Sequence, residues 1–450
     1  MRAVEKLKAR IVPLRFVEIN EREQKEYKEQ LEKLQEIYGD VAEFLEPVEV
    51  GAEIQKCDAI IFPQLIGAGY HYVEAYCQYN KPILVITSRF GTVDMWDWEL
   101  ISYMRSHGLN VFAPYNIDMG KTIFRALAAK EHLKGAKFLM FQDDPGEGMQ
   151  AYIFKRFYWW EKECKETMEK TFGMKLIYSS WKEVNERAAQ IDEKAALDEF
   201  CSWNLPCDPA VTDEQKTLIG QLYLAICEVI EKLGGVDGIG ANCLNESMYC
   251  KTTPCTIWNA LFEKYGIVWC CEGDTLTLLS TYILYHSLEA PVQMTNIYPF
   301  LVGQAAIYHE RIDSFPKVDD PENYALGVHC GYAGFAPRKF CGEKWKVMPK
   351  VLAIVNEKAT MVDCELPVGD MVLAKINPSF DKITVIPGKI EKFVQFPNTD
   401  SLNATLLHYK NGEKLMEDLP SHHQMIIVGK QKAKIAQIAK VFGWNYEVIE

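Results

Sequence analysis

Four short segments place titratable or metal-ligating side chains among small and aromatic neighbours. The first, Trp269-Cys270-Cys271-Glu272-Gly273-Asp274-Thr275, sets two carboxylates just ahead of a helical pattern. The second, Met294-Thr295-Asn296-Ile297-Tyr298-Pro299, puts Asn296 at the end of a short apolar run. The third, Gly327-Val328-His329-Cys330-Gly331-Tyr332, places His329 after a short strand, and the fourth is Ser421-His422-His423-Gln424. Carboxylate and imidazole donors together suit a divalent cation, and the same groups serve as general acids and bases. A further polar cluster, Asn245-Glu246-Ser247 with Thr252-Thr253-Pro254-Cys255, lies upstream. Each residue also has a plainer reading taken singly. Glu272 suits the positive end of a helix, Asn296 a turn, His329 a core histidine bonded to a carbonyl, and His422-His423 a surface turn. With no HExxH spacing and no CxxC pair in the chain, the residues permit a mixed carboxylate–imidazole site without compelling one.

The elements that must position these groups fall into three stretches. Over residues 1–150, β-branched runs (Ala9–Val12, Ala59–Pro63, Pro82–Thr87, Asn110–Ala113, Lys137–Phe141) alternate with charged helical patterns such as Glu21–Tyr38 and Gly120–Lys130. That alternation predicts a parallel sheet flanked by helices. Residues 151–325 continue as a second α/β region, with helical patterns over Ala151–Phe172, Asp213–Leu233 and Thr275–Ser287 and a strand at Ile267–Cys271. From 326 to 450 the runs are short and β-rich: Lys350–Ile354, Asp370–Ile376, Lys382–Ile386, Lys389–Phe396 and Gln424–Gly429, with a closing helix at Lys432–Val441. The expected architecture is two doubly wound α/β domains followed by a C-terminal antiparallel β-barrel-like domain. Strand C-termini in open α/β sheets are where ligands bind, and Glu272 falls at one. No GxGxxG or P-loop pattern gives the sheets a nucleotide role.

Composition narrows the partners. The chain has 450 residues, 49 basic and 62 acidic, for a net charge of −13. A general nucleic-acid or anionic-membrane binder needs fields of Lys and Arg, so neither partner is expected. The charged N-terminus lacks an apolar signal core, and no apolar run is long enough for a membrane span. The expected location is cytoplasmic, where the 14 scattered cysteines would stay reduced.

In order, the segments resemble the L-fucose/L-arabinose isomerase superfamily. Cys271-Glu272-Gly273-Asp274 matches its carboxylate before a helix, His329-Cys330-Gly331 its His-Cys-Gly segment, and Ser421-His422-His423 its late histidine after a small-residue turn. The run Val368–Lys375 is similar to its C-terminal domain, and the likeness is clearest over ~240–430. The resemblance implies a divalent metal, Mn²⁺ by its oxygen and nitrogen ligands, and aldose–ketose interconversion through an enediolate. It makes Glu272 a metal ligand and acid/base. Asn296 takes the second ligand position, one of His422 and His423 (by preference His423) is the imidazole ligand, and His329 lines the site as a ligand or proton donor. Glu246 and Asp274 are candidate substrate or substitute-carboxylate groups. Trp96 and Trp98, after a strand end, offer faces for sugar stacking, with Arg15 and Gln64 as weaker candidates. A homo-oligomer, trimer or hexamer, is implied. One position departs from the pattern: Asn296 stands where the family has a carboxylate. Its amide oxygen can coordinate a hard cation but is a poor base. That leaves open a non-catalytic sugar-binding relative, an epimerase or a lyase.

Overall fold

The computed structural model describes residues 6–143, 152–290, 292–329, 338, 341, 344–349, 358–396 and 403–450. Six parallel strands form the first sheet: β1 (Ala9–Arg15), β2 (Ala42–Phe44), β3 (Val48–Glu49), β4 (Ala59–Phe62), β5 (Ile83–Val85) and β6 (Val111–Phe112). Their order is β2-β1-β4-β5-β6, with β3 beside β1. All four residues of β4 are buried, as expected of a strand covered on both faces, which reads as a continuous apolar run. The helix Glu21–Tyr38 begins at a capping box between Asn20 and Glu23. It turns Tyr27, Gln30, Leu34 and Tyr38 inward at three- and four-residue spacing.

A second parallel sheet contains β7 (Lys137–Phe141), β8 (Lys175–Ser179), β9 (Gly238–Ala241) and β10 (Val268–Cys270), in the order β10-β9-β7-β8. The run Lys137–Phe141, expected within the stretch 1–150, thus pairs with the second sheet. The helix Ile117–Leu133 that leads into it packs on the helix Thr275–Leu288 and on the C-terminal helix Lys432–Phe442, so it crosses from one sheet to the other. The helical pattern over Ala151–Phe172 is interrupted. Helices occupy Phe154–Phe157 and Lys162–Phe172, and Trp159 between them has φ 61°. Residues 144–151 lie outside the described residues.

The third unit is a closed, six-strand antiparallel barrel. Its strands are β11 (Val292–Pro299), β12 (Tyr324–Val328), β15 (Gly369–Ile376), β16 (Lys382–Gln395), β17 (Asn403–Tyr409) and β18 (His423–Val428). They run β15-β18-β11-β12-β17-β16, and β16 returns to β15. Strand β19 (Asn445–Val448) adds to β16 in parallel, and β13 (Trp345–Pro349) pairs with β14 (Thr360–Cys364) as a separate ribbon. The barrel therefore draws β11 and the first residues of β12 from upstream of residue 326. The runs Lys382–Ile386 and Lys389–Phe396 fuse into one strand, β16, with a bulge between Ile390 and Lys392. The expected strand Lys350–Ile354 lies outside the described residues. Among the described residues no helix is long and apolar enough to cross a membrane.

Side chains of the barrel alternate between two cores. Met371, Leu373 and Ile426 join one cluster, while Val292, Met294, Val372, Ala374, Met425 and Ile427 join the large core shared with the helix Thr275–Leu288. Period-2 alternation dictates this split. Along the helix-facing rows the apolar series Val292, Met294 is followed by Asn296, and Ile427, Met425 by His423. The face that is apolar against the helix thus becomes polar opposite the helix N-terminus.

Candidate metal centre

Glu272 sits in the turn between β10 and the helix Thr275–Leu288. Two consecutive residues there have left-handed backbone, Glu272 at φ 53° and Gly273 at φ 72°. For a residue with a Cβ that conformation costs about 1–2 kcal/mol, and the surroundings hold it. Tyr158 Oη donates to Glu272 Oε2 at 2.5 Å, and Trp160 Nε1 donates to the Gly273 carbonyl at 2.7 Å. The Tyr158 carbonyl in turn accepts from Thr275 N at 3.2 Å and Thr275 Oγ1 at 2.9 Å. The break in the Ala151–Phe172 pattern is therefore a clamp on the turn. Asp274 is the helix N-cap, accepting from Thr277 N at 2.8 Å and from Thr277 Oγ1 at 2.7 Å.

The barrel brings two imidazoles to Glu272. His329, just past β12, places Nε2 3.4 Å from Glu272 Oε1, and His423, at the start of β18, places Nε2 3.8 Å from Glu272 Oε2. His423 Nδ1 lies 2.9 Å from Asp274 Oδ2. An ionised Asp274 accepts there, so Nδ1 carries the proton and Nε2 keeps its lone pair. His423 Nε2 has no hydrogen-bond partner among the described residues. Glu272, Asp274, His329 and His423 are all buried.

Charge explains why this arrangement is stable. Burial works against ionised Asp274, but the Lys375 ammonium 3.4 Å away and the bonds from His423 and Thr277 outweigh it, holding the carboxyl well below its ordinary range. Burial pushes the His423 imidazole below its usual pKa despite the pull of Asp274 and Glu272, which keeps the ring neutral. Lys375 also donates to Ser421 Oγ at 3.1 Å. The result is an ordered series, Lys375–Asp274–His423, ending on a lone pair aimed toward Glu272. Outer carboxylates of this kind fix the tautomer and orientation of metal-binding histidines.

The donor set fits a cation. Ligand atoms at about 2.0–2.2 Å from an ion stand roughly 3–4 Å apart, as do the Glu272–His329 and Glu272–His423 pairs. Cys271, Glu272 and His329 form a buried group whose ligand atoms all lie within 4.8 Å of one another, and it could hold a metal ion. Asn296 is the cross-strand partner of His423. Its Oδ1 is buried without a hydrogen-bond partner among the described residues. Its Nδ2 donates to Tyr298 Oη and Glu310 Oε1, both at 3.2 Å. Tyr298 Oη donates to Glu310 Oε1 at 2.6 Å, and burial followed by the Glu310 charge pushes the phenol far up, so it stays protonated.

The remaining expected residues are placed as follows. His422 is stacked on Phe157 at 4.8 Å, its ring beside that of His423; burial and then His423 lower its pKa to about 3. Asp274 orients His423. Glu246 is buried at the end of the second sheet, both oxygens 3.0 Å from Asp143 N. Trp96 and Trp98 are exposed on the first sheet's side, the latter beneath the Arg105 guanidinium at 5.8 Å. Arg15 pairs with Glu49 at 2.7 Å, and Gln64 donates to the Glu23 carbonyl at 3.3 Å. Cys330, Gly331 and Tyr332 lie outside the described residues. Tyr158, Tyr298, Glu310 and Lys375 escape the sequence reading. Tyr298 sits in the segment Met294–Pro299, Lys375 ends the run Val368–Lys375 and Tyr158 falls in the helical pattern Ala151–Phe172, but none is given a chemical role there.

No protein-family model matches the chain, and no curated protein matches it either.

Proposed function

We propose that the chain is a metal-dependent sugar isomerase, interconverting an aldose and a ketose through an enediolate, in the manner of the L-fucose/L-arabinose isomerases it resembles. The observation that carries this reading is the convergence of Glu272, His329 and His423 in one buried space, with His423 anchored by Asp274 and its Nε2 lone pair directed inward. Glu272, His329, His423 and the Asn296 amide oxygen would hold a divalent cation. The all-oxygen-and-nitrogen set favours Mn²⁺, whereas recruitment of Cys271 would favour a softer ion. When bound, the ion supplies Lewis-acid stabilisation of the enediolate oxygens.

The chain's own groups supply the rest. Moving a proton between C1 and C2 of an open-chain sugar needs a base that Asn296 cannot be. Glu310, buried beside Asn296, is the carboxylate we assign in its place. Tyr298 holds Glu310 Oε1, and Tyr158 holds Glu272 Oε2, so both carboxylates are oriented by phenols that stay protonated or donate. Burial excludes water from the reacting carbons, which strengthens each of these interactions.

The two parallel sheets share an order with the second strand outside the first and the others following on its far side, and we read both as doubly wound. Cys57, Cys164, Cys250 and Cys270 are buried free thiols, in keeping with a cytoplasmic setting. Exposed Phe90, Met95, Trp96 and Tyr115 are in keeping with a homo-oligomer. A second reading, a sugar-binding relative, an epimerase or a lyase, is favoured by Asn296 at a position where the isomerases carry a carboxylate. Metal analysis with a Mn²⁺-dependent assay on a panel of aldoses separates these. The isomerase reading expects ketose formation that is lost in Glu272→Gln. Smaller carbonyl products indicate a lyase, and ligand-induced stabilisation without turnover indicates a binding protein.

A further inference from the structure

A cavity of about 690 Å³ has Lys375 in its lining. Its walls include Phe157, Trp159, Leu276 and Ile376, with Lys375 and Ser421 among its polar groups. This is the composition of a small-molecule site: mostly apolar walls with a few polar groups that fix orientation. Arg156, Glu163, Thr167 and Ser379 complete its polar lining. The cation in it is well buried, with the Lys375 side chain only 2% exposed. An ammonium has three hydrogens to place. Among the described residues Lys375 has two acceptors, Ser421 Oγ at 3.1 Å and Asp274 Oδ2 at 3.4 Å, the second at the limit of a hydrogen bond. Beyond these it meets the ring of Phe157, 5.4 Å from the centroid. At the cavity wall Arg156 is already matched by Glu161 and Glu163, which leaves Lys375 as the group able to take an added anion.

We propose that this cavity binds a small amphipathic monocarboxylate, its apolar body between Phe157, Trp159, Leu276 and Ile376 and its carboxylate on Lys375 Nζ. A carboxylate there completes the ammonium's acceptors with a charge-assisted bond, while the walls remove the apolar body from water. The cavity borders the metal centre through Lys375, Phe157 and Ser421, but binding there does not depend on the isomerase reading.

Titration calorimetry of the full chain with octanoate, and with octanamide as its uncharged match, tests this. The expected result is one saturable octanoate site, with octanamide bound at least tenfold more weakly. Thr167 lines the cavity and is exposed; Thr167→Trp fills the space and should abolish binding. Lys375→Gln should erase the preference for the acid over the amide. Equal affinity for the two probes, octanoate binding unchanged in Thr167→Trp, or no saturable binding of octanoate would each overturn the proposal. The probe comparison and Thr167→Trp decide the matter even where Lys375→Gln fails to fold.

Discussion

Replacing Asp274 by Asn removes a charge and almost no volume. The amide oxygen can still cap Thr277 N, so the helix start survives. Two things are lost: the anionic partner of His423 Nδ1 and the counter-charge of Lys375, at 2.9 and 3.4 Å. The second loss leaves a buried ammonium uncompensated, which costs about 3–5 kcal/mol. Lys375 can limit that cost by releasing its proton, because burial already lowers its pKa. The first loss frees the His423 ring to turn or change tautomer, and removal of such an outer partner weakens metal binding by about 10–100-fold. These effects are separable. In Asp274→Asn/Lys375→Met the stranded charge is gone, so stability should return to within about 2 kcal/mol of wild type, since exchanging a whole buried pair is often near neutral. Metal affinity should stay low. Urea unfolding of metal-free protein reads the first quantity and Mn²⁺ titration calorimetry the second. The reasoning fails if Asp274→Asn binds Mn²⁺ within threefold of wild type, or if the double variant regains affinity along with stability.

Three further outcomes follow from the same geometry. Glu310→Gln should lower kcat by at least a hundredfold while Mn²⁺ affinity changes only a few-fold, because Glu310 is assigned to the proton and not to the cation; parallel losses in both would refute that division. Gly273→Ala should cost about 1–2 kcal/mol in urea unfolding, since φ is 72° and a Cβ would stand 3.2 Å from Trp160 Nε1; an unchanged midpoint would mean the turn is not constrained. Burial, reinforced by His132, lowers the His286 pKa to about 3 from its ordinary 6.5. The native state thus favours the neutral ring, whose contribution is fully present above pH 6.5 and is lost as pH falls from 6.5 toward 3, at up to about 1.4 kcal/mol per pH unit. Unfolding free energies at pH 7.5 and 5 should show a smaller drop in His286→Phe than in wild type.

Much of this arrangement is written locally in the chain. The strand–helix alternation and the late β-rich runs announce two parallel sheets and a barrel, because buried parallel strands leave continuous apolar runs such as Ala59–Phe62. The Glu272 turn and His423 are also readable, since each pairs a chemical group with the end of a regular element. What is not readable is partnership across the fold. Lys137–Phe141 looks like its predecessors, and only pairing with β8 and β9 assigns it to the second sheet. Lys375 reads as one polar residue in a barrel strand, and its meaning comes from Asp274, 101 positions away. Glu310 follows a helix of six residues with no motif around it. Tyr158 lies in an aromatic stretch whose helical pattern conceals the turn that aims its hydroxyl at Glu272.

The most direct test is diffraction from crystals grown with Mn²⁺, using the anomalous signal of the metal. One strong peak should lie about 2.0–2.4 Å from a Glu272 oxygen and from Nε2 of His329 and His423, and it should vanish in Glu272→Gln. A peak bound elsewhere, or none between these three side chains, would contradict the shared metal centre on which the enzymatic reading depends.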